Sequence, residues 1–93
     1  MGYQVEITSQ ADEDLAEIVS YLAKDNGGIA EVFGMQLIDE ALLLSTFPYR
    51  GSIMRGKRKA RKLVYGKCLI IYMINEQRRY IAVLRFLHGA RIK

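Results

Sequence analysis

The spacing of apolar residues changes once along this chain, and that change decides most of what it can fold into. Between residues 11 and 44 the apolar positions recur every three or four residues, the period of an α-helix. Between residues 61 and 86 they alternate or run together, as strands do. Ala11, Leu15, Ile18 and Leu22, with Val19 beside them, form one helical stripe. Ala30, Phe33, Leu37, Ala41 and Leu44, flanked by Ile38 and Leu42, form a second. Asp25-Asn26-Gly27-Gly28 separates the two and supplies left-handed conformations that stop the first helix. A short Gly-rich connection between two helices predicts an antiparallel hairpin.

Before the hairpin, Tyr3-Gln4-Val5-Glu6-Ile7 alternates like a half-buried strand, and Thr8 or Ser9 offers an oxygen to cap the helix behind it. Asp12, Glu13 and Asp14 then lie near the positive end of the helix dipole. Phe47-Pro48 ends the second helix, and Tyr49-Arg50-Gly51-Ser52 reads as a turn. Arg61 to Tyr65 is a strand, Gly66-Lys67 its hairpin turn. Cys68 to Ile74 is nearly continuous in apolar residues, which predicts a central strand covered on both faces. Asn75 to Arg79 is a turn and Tyr80 to Phe86 the last strand. The expected order is β-α-α-β-β-β, an α+β fold in which a helical hairpin packs on one face of a small, mainly antiparallel sheet. The 93 residues make a single domain, spanning 1–93, with one core.

Charge is segregated along the same boundary. Residues 1 to 45 carry nine acids and a single base, Lys24, whereas residues 46 to 93 carry thirteen bases and only Glu76. A net charge of +4 conceals this dipole, which implies a positive face at a defined position. The stretch from Arg50 to Lys67 concentrates it: Arg50, Arg55, Lys57, Arg58, Lys59, Arg61, Lys62 and Lys67 lie there without an acid, with Tyr49 and Tyr65 interleaved. Phosphates or an acidic chain would neutralise such a cluster, and a tyrosine such as Tyr65 adds stacking. A solvated loop and strand face is the alternative.

The second constellation is Val83-Leu84-Arg85-Phe86-Leu87-His88-Gly89-Ala90-Arg91, which holds the chain's one histidine. His88 could move a proton while Arg85, Arg91 and Arg61 stabilise charge on phosphorus, a metal-free ribonuclease arrangement. Equally, His88-Gly89 could simply end the last strand. No glycine-rich phosphate loop, acyl-transfer triad or Cys/His cluster is present, so neither cofactor nor metal is expected. The carboxylates read as solvated helix faces. Cys68, the single cysteine, reads as a buried structural thiol. With neither a signal peptide nor a membrane-spanning run in evidence, a cytoplasmic location is expected.

These segments carry a resemblance. Residues Ile7 to Ile18, Tyr21-Leu22, the Phe47-Pro48-Tyr49-Arg50-Gly51 turn, the Arg61 to Tyr65 strand and the Val83 to Arg91 ending together resemble toxins of the RelE/ParE superfamily, over nearly the whole chain. The resemblance implies the toxin half of a bacterial type II toxin–antitoxin pair, of the plasmid-stabilisation kind, silenced by a cognate antitoxin with an acidic binding segment. It also implies one of two targets: DNA gyrase, inhibited by binding in ParE-like members, or messenger RNA on the ribosome, cleaved by RelE-like members. The ParE-like branch is the better match. Leu69 stands where the nuclease branch tends to carry an arginine in the central strand, and no tyrosine follows the last strand.

Overall fold

A computed structural model describes residues 2–56 and 59–89. Strand β1 (Gln4–Ile7) leads into helix α1 (Ser9–Ala23), helix α2 (Gly27–Leu42) and one 3-10 turn at Leu43–Ser45. Strands β2 (Ser52–Ile53), β3 (Ala60–Tyr65), β4 (Cys68–Asn75) and β5 (Tyr80–His88) follow. The five strands form one sheet in the order β1-β5-β4-β3-β2. The expected helical hairpin on a small α+β sheet is the observed architecture.

Local chemistry accounts for the element boundaries. Thr8 is the cap of α1: its hydroxyl oxygen accepts from the Ala11 backbone N–H at 3.3 Å, and the same hydroxyl donates to the Val83 carbonyl at 2.8 Å. One side chain thus starts the helix and ties it to β5. At the hairpin bend the expectation fails in detail. Gly27 and Gly28 do not adopt left-handed conformations; they form the first turn of α2. Asn26 wins the position because its side-chain oxygen accepts from Ile29 N–H at 3.1 Å, satisfying a donor that a helix start otherwise leaves orphaned. Gly66, at φ 60°, makes the two-residue turn between β3 and β4 as expected.

The hairpin helices meet closely at Gly34, where a Cβ atom would lie 2.7 Å from Val19 Cγ2. Ala11, Leu15 and Ile18 of α1 and Leu37 and Ala41 of α2, with Leu44 just beyond it, pack onto Ile70, Tyr72, Ile81, Val83 and Phe86. Leu42, assigned to the second stripe, is exposed instead, and Gly34 takes a buried place.

β4 is central, but only one of its faces lies under the helices. Successive side chains alternate across a sheet, and the cross-strand register puts Leu69, Ile71 and Met73 on the face away from the core cluster, beside Val64 and Lys62 of β3. The expectation of cover on both faces is therefore corrected. The unbroken apolar run builds a core on one side and leaves an apolar floor on the other. β1 lies parallel to the first half of β5, Gln4 opposite Tyr80 through Ile7 opposite Val83, while the other three pairings are antiparallel. Because β1 stops at Ile7, β5 from Leu84 to His88 has an edge that no strand covers.

Candidate functional site: a basic groove and a locked strand edge

Two places gather the side chains that carry chemistry. The first is a groove of about 810 Å³ where β2, β3 and the β4–β5 turn meet, lined by Tyr49, Lys59, Arg61, Glu76 and Tyr80 among others. Its geometry is set from inside the core. The Tyr72 hydroxyl accepts from Gly51 N–H at 2.9 Å and donates to the Pro48 carbonyl at 2.8 Å, which pins the turn that carries Tyr49. Burial, its main influence, pushes the Tyr72 phenol upward, keeping that donor protonated. Arg61 closes the arrangement: Nη1 donates to the Gly51 carbonyl at 2.7 Å, and its guanidinium lies over the Tyr49 ring, 5.0 Å from the centroid. Gly51 is obligatory here, since a Cβ would stand 2.5 Å from the Lys62 carbonyl oxygen. The Tyr49 hydroxyl donates to Glu76, and that bond, with help from Tyr3, holds the phenol above its ordinary range.

The second place is the uncovered edge of β5. Asp14, on α1, accepts from Arg85 Nε at 2.7 Å and Arg85 Nη2 at 3.0 Å, from the Phe86 backbone N–H at 3.1 Å and from Gln10 Nε2 at 3.2 Å. A carboxylate here replaces the strand that β5 lacks, satisfying a ladder N–H that would otherwise be buried without a partner. Burial pushes the Asp14 carboxyl up, but the bonds from Arg85, Phe86 and Gln10 outweigh it, and its pKa lies below the ordinary value. His88 is buried beside this edge, its ring tilted against Tyr21 with centroids 5.9 Å apart.

A family model, "ParE toxin of type II toxin-antitoxin system, parDE", matches residues 5–93. The chain belongs to the ParE toxin family. Its fold is also that of solved toxin–antitoxin structures. It superimposes on a chromosomal ParDE system of P. aeruginosa with TM-score 0.80 and 16% identity, covering 92% of this chain and 95% of that one. A RelBE toxin–antitoxin complex of Mycobacterium tuberculosis gives TM-score 0.74 at 20% identity, covering 95% and 99%. The isolated RelE toxin of E. coli gives 0.59 at 13%, covering 98% and 88%. At these identities the likeness is one of fold. No curated protein sequence matches.

In this ParE-family chain the sequence-expected site residues do not form one cluster. His88 and Arg85 sit together near the β5 edge. Arg61 does not join them: it pairs across from Tyr72 whereas His88 pairs across from Cys68, four residues away along β4, about 13 Å, and on the opposite side of that strand. The idea that the Arg61 strand lies beside His88 is therefore corrected, and Arg91 falls outside the described residues. Among the basic stretch, Lys59 and Arg61 line the groove. Arg50 is engaged by Glu40 at 3.0 Å. Arg55, Lys62 and Lys67 are exposed, and Lys57 and Arg58 fall outside the described residues. Tyr65 is half-buried, its hydroxyl donating to Gln36 at 3.2 Å. Leu69 sits between Val64 and Leu87 on the uncovered face of the sheet.

Sequence reasoning missed Asp14. The reading of the helix carboxylates as solvated holds for its neighbours Asp12 and Glu13 but fails at Asp14, which is 8% exposed. The signal was available: Asp14 lies one turn on from Gln10 and next to Leu15, on the buried side of α1, where an acid needs a partner. Among the described residues no group of His, Cys, Asp and Glu side chains is placed to hold a metal ion, and no helix is long and apolar enough to cross a membrane.

Proposed function

We propose that this ParE-family toxin acts by binding DNA gyrase rather than by cutting RNA, and that a cognate antitoxin restrains it by laying an acidic segment along the basic, uncovered side of the sheet. The observation that carries the first part is the state of Arg85. It is three residues from His88 along β5, and its charge is paired with the Asp14 carboxylate through two of its five N–H donors. A phosphate-stabilising arginine has to present those donors to the substrate. The apolar surroundings of Leu69 support the same reading, because the central strand offers no cation there. The solved relatives of this fold include toxin–antitoxin complexes, which supports an antitoxin partner. Lys59, Lys62 and Lys67 supply exposed positive charge for it, and Arg55 adds to them.

The test is a gyrase supercoiling assay with the purified, folded toxin. Loss of supercoiling or accumulation of cleaved DNA is expected, and both effects should disappear on adding antitoxin. Intact supercoiling at excess toxin rules the reading out.

One observation favours a second reading, a RelE-like messenger RNase: the groove that combines Arg61 and Lys59 with Tyr49 and Tyr80 has the charge and stacking surfaces that single-stranded RNA uses. Mapping transcript ends after induction separates the two. Codon-phased cuts that vanish in Arg61→Ala, His88→Ala or Arg85→Ala would establish the RNase.

A further inference from the structure

Helix α2 carries apolar residues on its exposed side as well as on its buried one. Ala30, Gly34, Leu37 and Ala41 are buried, yet Ile29, Val32 and Met35 are 66, 54 and 66% exposed, with Leu42 and the adjoining Leu43 at 47 and 44%. With about 3.6 residues per turn, these five lie on the side opposite the buried four. They form a stripe from Ile29 to Leu43, about 21 Å long. An exposed apolar patch on the order of a few hundred Å² marks an interaction site.

The rim of the stripe identifies what fits it. Glu31 is exposed at its edge and Asp39 within it, between Met35 and Leu42; Glu40 is taken by Arg50, and residues 27 to 42 contain no Lys or Arg. An acidic segment would meet like charge on this surface. So would a second copy of the chain: a two-fold contact through the same stripe brings Glu31 and Asp39 against their own equivalents. Five side chains are also few against the roughly 20–30 residues a side of a stable interface, so rim ion pairs have to contribute.

We infer that the outward face of α2 is a docking surface for a helix of a protein partner, about four turns long, whose apolar stripe is flanked by Lys or Arg. The sheet side and the helix side of this molecule then take segments of opposite charge. The inference stands whichever target the toxin has, because it uses none of the groove or strand-edge residues.

Two synthetic helical peptides with the same leucine stripe, one flanked by Lys and Arg and one by Glu, are the probes. Binding to the full chain is followed by fluorescence anisotropy at low and high salt. The basic-flanked peptide should bind at least about tenfold more tightly at low salt, with the preference narrowing as salt screens the rim. Val32→Ser with Met35→Ser should weaken it by about tenfold or more. Glu31→Gln with Asp39→Asn leaves the stripe intact and should erase the preference between the peptides. Equal or tighter binding of the acidic peptide overturns the inference, as does binding that survives the serine substitutions but is lost in Val64→Ser on the sheet. Sedimentation showing a dimer of the chain that the serine substitutions dissociate assigns the face to self-association and overturns it as well.

Discussion

At the scale of single residues, Asp14 is the side chain on which most depends. It gives the Phe86 N–H on the β5 edge an acceptor, orients Arg85 and fastens α1 to the sheet. Asp14→Asn keeps the shape but removes the charge that Arg85 and Phe86 N–H share, and should cost about 1–3 kcal/mol near neutral pH. The sign of its pH dependence follows from the lowered pKa. The charged carboxylate stabilises the fold fully above its unfolded value of about 3.9, and that contribution is lost as pH falls through the lower folded value. Denaturant melts of the two proteins should therefore differ by a constant amount above about pH 5 and converge in stronger acid. A gap that widens on acidification would mean that Asp14 is protonated in the folded protein. The carboxylate was not legible from charge patterning, because Asp12, Glu13 and Asp14 look alike in sequence and only the helical phase separates the buried one from the solvated two. His88 shows the converse: its rarity drew attention, while its burial against Tyr21 depends on how far β5 extends past Phe86, and strand ends are poorly marked in an apolar run.

At the scale of elements, the helical stripes and the three long strands were legible because each repeats its period several times. The details that escaped are short or non-local. The two-residue β2 is too brief for any periodicity, and the parallel pairing of β1 with β5 joins segments that no turn signal connects. The apolar run of β4 predicts two-sided cover, and α2 shows why that inference is unsafe here: an element can carry apolar residues on two sides while only one of them is covered by this chain. Truncations test the assignment of sides. Leu37→Ala and Ile70→Ala, both fully buried, should each lower stability by about 2–5 kcal/mol. Leu42→Ala, on the outward side of α2, should change it by no more than about 0.5 kcal/mol. A comparable loss at Leu42 in thermal or chemical melts would place it in the core.

At the scale of the whole molecule, the charge split visible in sequence becomes a division between a helical side with acids and a sheet side with bases. Neutralising Lys59 and Lys62, which are exposed, together with Lys57 and Arg58, should leave the melting temperature nearly unchanged. It should also weaken antitoxin binding and flatten its salt dependence. A large stability loss would mean that these residues hold the loop rather than a partner. The β1–β5 pairing has a consequence in time. During synthesis β1 leaves the ribosome 76 residues before the strand it pairs with, Tyr80 to Val83, and residues emerge at only about 5–20 per second. The sheet cannot close until β5 has emerged, and neither the groove nor the locked strand edge exists before then. The fold is thus incomplete for seconds after β1 emerges, an interval in which an antitoxin already present can be waiting.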